Sequence, residues 1–201
     1  NLNDIIPAAK FLVSKGFGAI KIGKNKKIDD NDIIDYGSSV YKSDFLDVYL
    51  ASKCEFMITS LSGVSEFATL FRKPKLFINY FDVHNMTKLN LKWIILLKKF
   101  KDLNTGKLIS FKEAYEKKLN YIENFNELNE AGYKAIDNSE LEIKKATENL
   151  LNLIENNYDL NEILQKQKNY WKIMEKYFGY TNRDKTIICP DFYQNNIDLF
   201  N

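Results

Sequence analysis

Between Phe56 and Asn79 the chain reads FMITSLSGVSEFATLFRKPKLFIN. An apolar strand pattern over Glu55–Thr59 runs into a turn at Ser60–Gly63. A helical pattern follows from about Val64 to Phe71, Lys73 and Pro74 stop it, and Lys75–Asn79 is strand again. Two short strands joined through a helix cannot pair as a hairpin. They pair side by side in the parallel sense, and helices then cover the sheet. The rhythm recurs elsewhere. Gly18–Ile22 reads as a strand closed by Gly23, Ile33–Tyr36 as a short strand before a Gly37–Ser39 turn, and Trp93–Leu97 as a further apolar strand. The predicted fold class is therefore α/β: a Rossmann-like, mainly parallel sheet with helices on both faces.

The helices carry start signals. Asp4 and Pro7 open the first one, with Phe11, Leu12 and Lys15 leading to Gly16. Ser43 caps a helix whose apolar face holds Phe45, Leu46, Tyr49 and Leu50. Ser110 with Glu113, Ser139 with Glu142, and Asp159 with Glu162 have capping-box spacing, and Gly132–Asp137 reads as a last strand between the first two. From Asp159 to Tyr177 a period near 3.6 predicts one long helix, with Tyr170, Trp171 and Tyr177 on its apolar face. The tail from Gly179 shows aromatic residues and Pro190 without a long pattern. Two units follow: 1–158 as the ligand-binding domain, and 159–201 as a helix and tail packing back on it or on a further domain. The chain opens without Met at Asn1, already inside a helical pattern. That suggests a piece of a longer protein with a preceding domain; the alternative is a mature chain that has lost its Met.

Composition excludes several classes. Of 201 residues, 45% are hydrophobic, too many for a disordered chain. No apolar run reaches the roughly 18 residues of a membrane span. Twenty-nine basic and 27 acidic residues leave a charge of +2, too balanced for bulk attraction to nucleic acid. Cys54, Cys189 and the single His84 cannot make a disulfide framework or a zinc site. Neither a metal nor a cofactor is expected, and the expected place is the cytoplasm. The Lys98, Lys99, Lys101 run reads as a solvated face, with attraction to the inner membrane surface as the alternative.

The turn before Val64 has the chemistry of an anion site. The first N–H groups of a helix have no intrahelical partner, and the helix dipole is positive there. Gly63 lets a ligand approach the backbone, and Ser60, Ser62 and Ser65 add hydroxyls. In open α/β sheets ligands sit beyond the carboxyl ends of the strands, where this turn falls. The other reading is a strand–helix connection made of small residues for packing. Asp44 is explained by its place at a helix start, and His84 by exposure in a loop.

GVSEFATLFRKP (Gly63–Pro74) resembles the strand–turn–helix of the nucleotide-sugar-binding domain in GT-B-type glycosyltransferases, an architecture shared with UDP-N-acetylglucosamine 2-epimerases. AIKIGK (Ala19–Lys24), SDFLDVYLASKCEF (Ser43–Phe56), KLISFKEAYE (Lys107–Glu116) and IICPDFYQNNIDLF (Ile187–Phe200) extend the likeness along nearly the whole chain. Together they are similar to the C-terminal half of a family of bacterial surface-polysaccharide glycosyltransferases. The resemblance implies that Ser60, Ser62, Gly63, Val64 and Ser65 hold the diphosphate of a nucleotide-sugar, with Lys21, Gly23 and Lys24 contributing from the first strand. It puts Glu66 near the ribose, although an epimerase-like alignment puts that role at Phe67. It makes the partners a nucleotide diphosphate sugar and a glycan or lipid-linked acceptor. It also leaves the catalytic base to an N-terminal half, so no catalytic residue is assigned here. A nucleotide-sugar epimerase of the same fold and a non-catalytic α/β interaction module are the alternatives.

Overall fold

The computed structural model describes residues 2–24, 26–60, 62–81, 92–122, 124–179 and 186–200. Its centre is a four-stranded, all-parallel sheet of β3 (Met57–Thr59), β4 (Lys75–Tyr80), β5 (Trp93–Leu97) and β8 (Ile187–Ile188), in that spatial order. All five side chains of β5 and all but one of β4 are buried. Successive strand side chains point to opposite faces, so such runs mean that both faces are covered. Helix α6 (Glu140–Ile154) packs on β4 and β5, and α1 (Ile6–Ser14) packs on α6. The fold is thus Rossmann-like α/β, as the strand–helix rhythm predicted.

Of the strands read from the sequence, Glu55–Thr59, Lys75–Asn79 and Trp93–Leu97 supply β3, β4 and β5 of this sheet. Gly18–Ile22 does not join it. β1 (Ala19–Lys21) pairs in parallel with β2 (Ile33–Asp35) as a separate two-stranded sheet. Only Ile33 of this pair is fully buried, and Ile20 and Ile34 are exposed. With one face open, this pair lacks the two-sided burial of the central strands β4 and β5. β6 (Lys99–Asp102) and β7 (Tyr133–Ile136) form an antiparallel pair over a second small core of Phe100, Ile109, Ala114, Leu119 and Leu128.

The long helix expected over Asp159–Tyr177 is broken. Asp159 caps α7 (Leu160–Lys166), and α8 (Lys168–Phe178) starts after Gln167. The break has a cause. The Gln167 amide donates to the Ile188 carbonyl at 2.7 Å and accepts from the Ile188 N–H at 2.9 Å, so a side chain caps the exposed edge of β8. The same contact explains why the tail gave no strand signal: β8 has two residues and borrows half its pairing from a glutamine. Tyr170, Trp171 and Met174 of α8 are buried in the same core as the sheet. Tyr115 and Tyr170 join hydroxyls at 2.8 Å, and Phe111, Tyr193 and Phe200 complete an aromatic cluster. Of the three aromatics read onto one apolar face, Tyr170 and Trp171 are thus covered within this chain, and Tyr177 is half-buried with its hydroxyl bonded to Glu116.

Cap signals performed unevenly. Ser139 and Glu142 form the full reciprocal box, while Ser43 and Ser110 each accept a single backbone N–H. Asp4 is not the N-cap residue of α1: a 3₁₀ turn over Leu2–Ile5 precedes the helix, and Ile5 holds that position. The lysine run is not a solvated face. Lys98 is buried against Asp137 at 2.9 Å and lies 5.0 Å from the Phe125 ring, and Lys99 binds Glu142 at 2.7 Å. Among the described residues no helix is long and apolar enough to cross a membrane.

Lys75, the first residue of β4, is fully buried. Its ammonium bonds the Thr69 hydroxyl and sits 5.2 and 5.1 Å from the rings of Phe77 and Trp93. Burial pushes its pKa below the usual lysine value of 10.5, and Glu66 opposes this. The folded state therefore binds fewer protons than the unfolded one just below pH 10.5, and stability rises with pH through that window. Lys75→Met removes the desolvation cost and keeps the volume. It is expected to stabilise the fold at neutral pH by about 1 kcal/mol, roughly 2–4 °C in melting temperature. The advantage should shrink toward pH 10.5; a lower melting temperature would show that the Thr69 and ring contacts outweigh desolvation.

Candidate anion site at the amino end of α3

α3 (Gly63–Leu70) starts directly beyond the carboxyl end of β3. Ser62 is its N-cap residue, extended at φ −155°, and its hydroxyl makes no cap bond. It stays exposed, 3.4 Å from the Thr59 hydroxyl. Gly63 is exposed, and a Cβ added there would meet nothing within 4 Å. The amino terminus of an eight-residue helix thus opens to solvent at the edge of the sheet where α/β ligands bind.

The surrounding residues divide. Ser60 is exposed and its carbonyl is taken by the Thr59 hydroxyl. Leu61 lies outside the described residues. Val64 is half-buried. Ser65 does not offer its hydroxyl: it is fully buried and donates to the Ser62 carbonyl at 2.6 Å, while its N–H reaches the same carbonyl at 3.0 Å. The position three into a helix favours this back-bond, which is why a serine read as a ligand donor is structural. Glu66 is exposed, 3.3 Å from the Ser65 hydroxyl, free of the core and on the rim of the turn.

Lys21 is not a free cation. Its ammonium binds Asp35 at 2.8 Å, with the Ser38 hydroxyl at 3.4 Å, and both charged side chains are largely buried. β1 and β2 are in register at Lys21 and Asp35, so neighbouring strands place these two side chains side by side. Burial alone would raise the Asp35 pKa. Lys21 and the N–H groups of Ile28 and Ser38 outweigh that and hold it at about 2. Gly23 and Lys24 follow on an exposed loop. Since Asp35 is depressed from 3.8, the stability it supplies is present above pH 3.8 and lost as pH falls through about 2. Asp35→Asn is expected to lower the melting temperature at pH 7, with the gap to wild type narrowing as pH falls from 3.8 through about 2. A gap of unchanged size at pH 2 would mean that the pair's charge contributes nothing.

One feature of this edge had no local sequence signal. Asn79 takes a left-handed conformation at φ 53°. It exchanges two hydrogen bonds of 2.6 Å with Asn138, whose amide also donates to the Leu97 carbonyl at 2.8 Å. This buried clamp ties the carboxyl ends of β4 and β5 to the start of α6. Its partners are 59 residues apart, and only the tolerance of asparagine for positive φ hinted at it.

Two better-formed concavities lie away from α3. One is lined by Phe81, Lys98 and Phe125, the other by Glu142, Lys145 and Asp191, and neither is tied to Gly63. They hold about 280 and 250 Å³ with their open mouths, under the roughly 300–1,000 Å³ typical of ligand pockets. Neither suits a nucleotide. His84 lies outside the described residues. Among the described residues no three His, Cys, Asp or Glu side chains gather as metal ligands. Compared with protein families, characterised proteins and solved structures, the chain matches none.

Proposed function

We propose that this chain is the donor-binding half of a GT-B-type glycosyltransferase, which moves a sugar from a nucleotide diphosphate donor to a glycan or lipid-linked acceptor. The observation that carries the reading is the open amino terminus of α3 beside an unobstructed Gly63, at the carboxyl edge of a parallel sheet. When the sugar–phosphate bond breaks, negative charge grows on the leaving diphosphate. Backbone N–H groups of Gly63 and Val64, fixed in place before the reaction, stabilise that charge without reorganising. Of the two lysines expected in this role, Lys21 is committed to Asp35, which leaves Lys24 as the candidate cation. Glu66, on the rim of the turn, is the candidate for the ribose hydroxyls. The acceptor and the catalytic base belong to a second domain, and the chain alone binds donor without turning it over.

Calorimetric titration of uridine, guanosine, cytidine and thymidine diphosphates into the chain tests this. One of them is expected to bind, and the free nucleoside is expected to bind far less, since the phosphates supply the contacts. If none binds at millimolar concentration, the α/β unit is a scaffold for other contacts.

A further inference from the structure

The ammonium of Lys75 is fully buried between the Thr69 hydroxyl and the rings of Phe77 and Trp93, and among the described residues no carboxylate pairs with it. Trp93 adds only an indole N–H, itself buried without an acceptor. A buried cation without a counter-ion is unfavourable for the fold. Its one hydrogen bond, to Thr69, starts a row of donors along the buried side of α3. The Thr69 hydroxyl donates to the Ser65 carbonyl at 3.4 Å. The Ser65 hydroxyl and N–H donate in turn to the Ser62 carbonyl at 2.6 and 3.0 Å. That carbonyl belongs to the peptide unit whose other end is the Gly63 N–H, at the open amino terminus of the helix.

We infer that Lys75 is a positioning residue for the anion site: its buried charge, carried along the hydroxyl row of α3, strengthens phosphate binding at Gly63. The inference rests on the donor-binding reading given above. Every donor in the row points toward the amino end of α3, the sense of the helix dipole, so the row adds positive potential where the phosphates sit. Hydrogen bonds joined head to tail also polarise one another. Thr69 and Gly63 are six positions apart, about 9 Å along the axis. The path between them is protein, so the charge of Lys75 is screened far less by salt than that of a surface lysine. At an effective dielectric of about 20, a unit charge at that range changes anion affinity roughly tenfold. Two titratable groups act on the ammonium. Glu66, exposed on α3, favours its charged form, and Cys54, just after α2 (Asp44–Lys53), has a thiol that burial pushes above its ordinary value.

Calorimetric titration of the best-binding nucleoside diphosphate and of pyrophosphate into the wild type and Lys75→Met tests the inference, with thermal unfolding of both proteins. Lys75→Met should be at least as stable as the wild type and bind either probe about tenfold more weakly near pH 7.5. The gap should narrow as pH rises toward about 10.5 and the wild type loses the Lys75 proton. Over that range Glu66 stays ionised, and Cys54 is present in both proteins, so neither accounts for the narrowing. Linkage supplies a readout in the wild type by itself: saturating pyrophosphate should raise the titration midpoint of the Lys75 ¹³Cε signal by about one pH unit. Equal affinities in two folded proteins, a gap that ignores pH, or a midpoint that pyrophosphate leaves unmoved overturns the role of Lys75 and leaves the donor site standing. A wild type that binds neither probe overturns the donor site and this inference together.

Discussion

Gly37→Ala should cost about 3 kcal/mol or more, the largest loss expected of any single methyl group in this chain. Gly37 is buried in the 3₁₀ turn Tyr36–Ser38 that follows β2. A Cβ there would sit 2.0 Å from the Gly23 carbonyl oxygen and 2.6 Å from that of Ile22. Both obstacles are backbone, so no rotamer change relieves the clash. The turn must retreat from the end of β1. That retreat strains the Lys21–Asp35 pair and the bond from the Ser38 N–H to Asp35, because all of them hang on the same few residues. For a chain of this length the loss corresponds to roughly 6–12 °C in melting temperature. Gly23→Ala is the control, since nothing lies within 4 Å of its added methyl. Thermal unfolding of the three proteins should rank wild type and Gly23→Ala together and Gly37→Ala well below. Equal melting temperatures for all three would mean that β1 and the Gly37 turn do not approach so closely.

The central sheet was legible because its strands are almost wholly apolar. Runs such as KLFIN and WIILL allow only a place between two covered faces, and both lie there. Ser62 and Gly63 were legible for a similar reason, since the turn between a buried strand and a helix falls at the edge of the sheet. What the sequence hid are pairings between distant residues. Nothing near Gln167 indicates that its amide will close the edge of β8, so the helical period ran on through it. The Asn79–Asn138 clamp is hidden in the same way. Lys21 and Asp35 misled for a subtler reason. A lysine at a strand end is equally suited to a phosphate and to a carboxylate on the next strand, and register, which local pattern does not encode, decided for Asp35. Phe45 and Tyr49 have the spacing of a buried face, yet they face outward.

Donor binding requires the phosphates to meet the amino end of α3, and Gly63→Val tests that contact directly. A Cβ added at Gly63 meets nothing within 4 Å, so the fold is expected to accept the valine and keep its melting temperature within about 1–2 °C. The same group fills the volume that a phosphate oxygen needs to reach the backbone N–H groups at about 2.9 Å. Calorimetric titration of the best-binding nucleoside diphosphate into the wild type and Gly63→Val is the decisive comparison. The account predicts binding to the wild type and a loss of at least about 100-fold in the variant, the worth of two charge-assisted hydrogen bonds. Equal affinity in two equally stable proteins would contradict it and place the phosphates elsewhere.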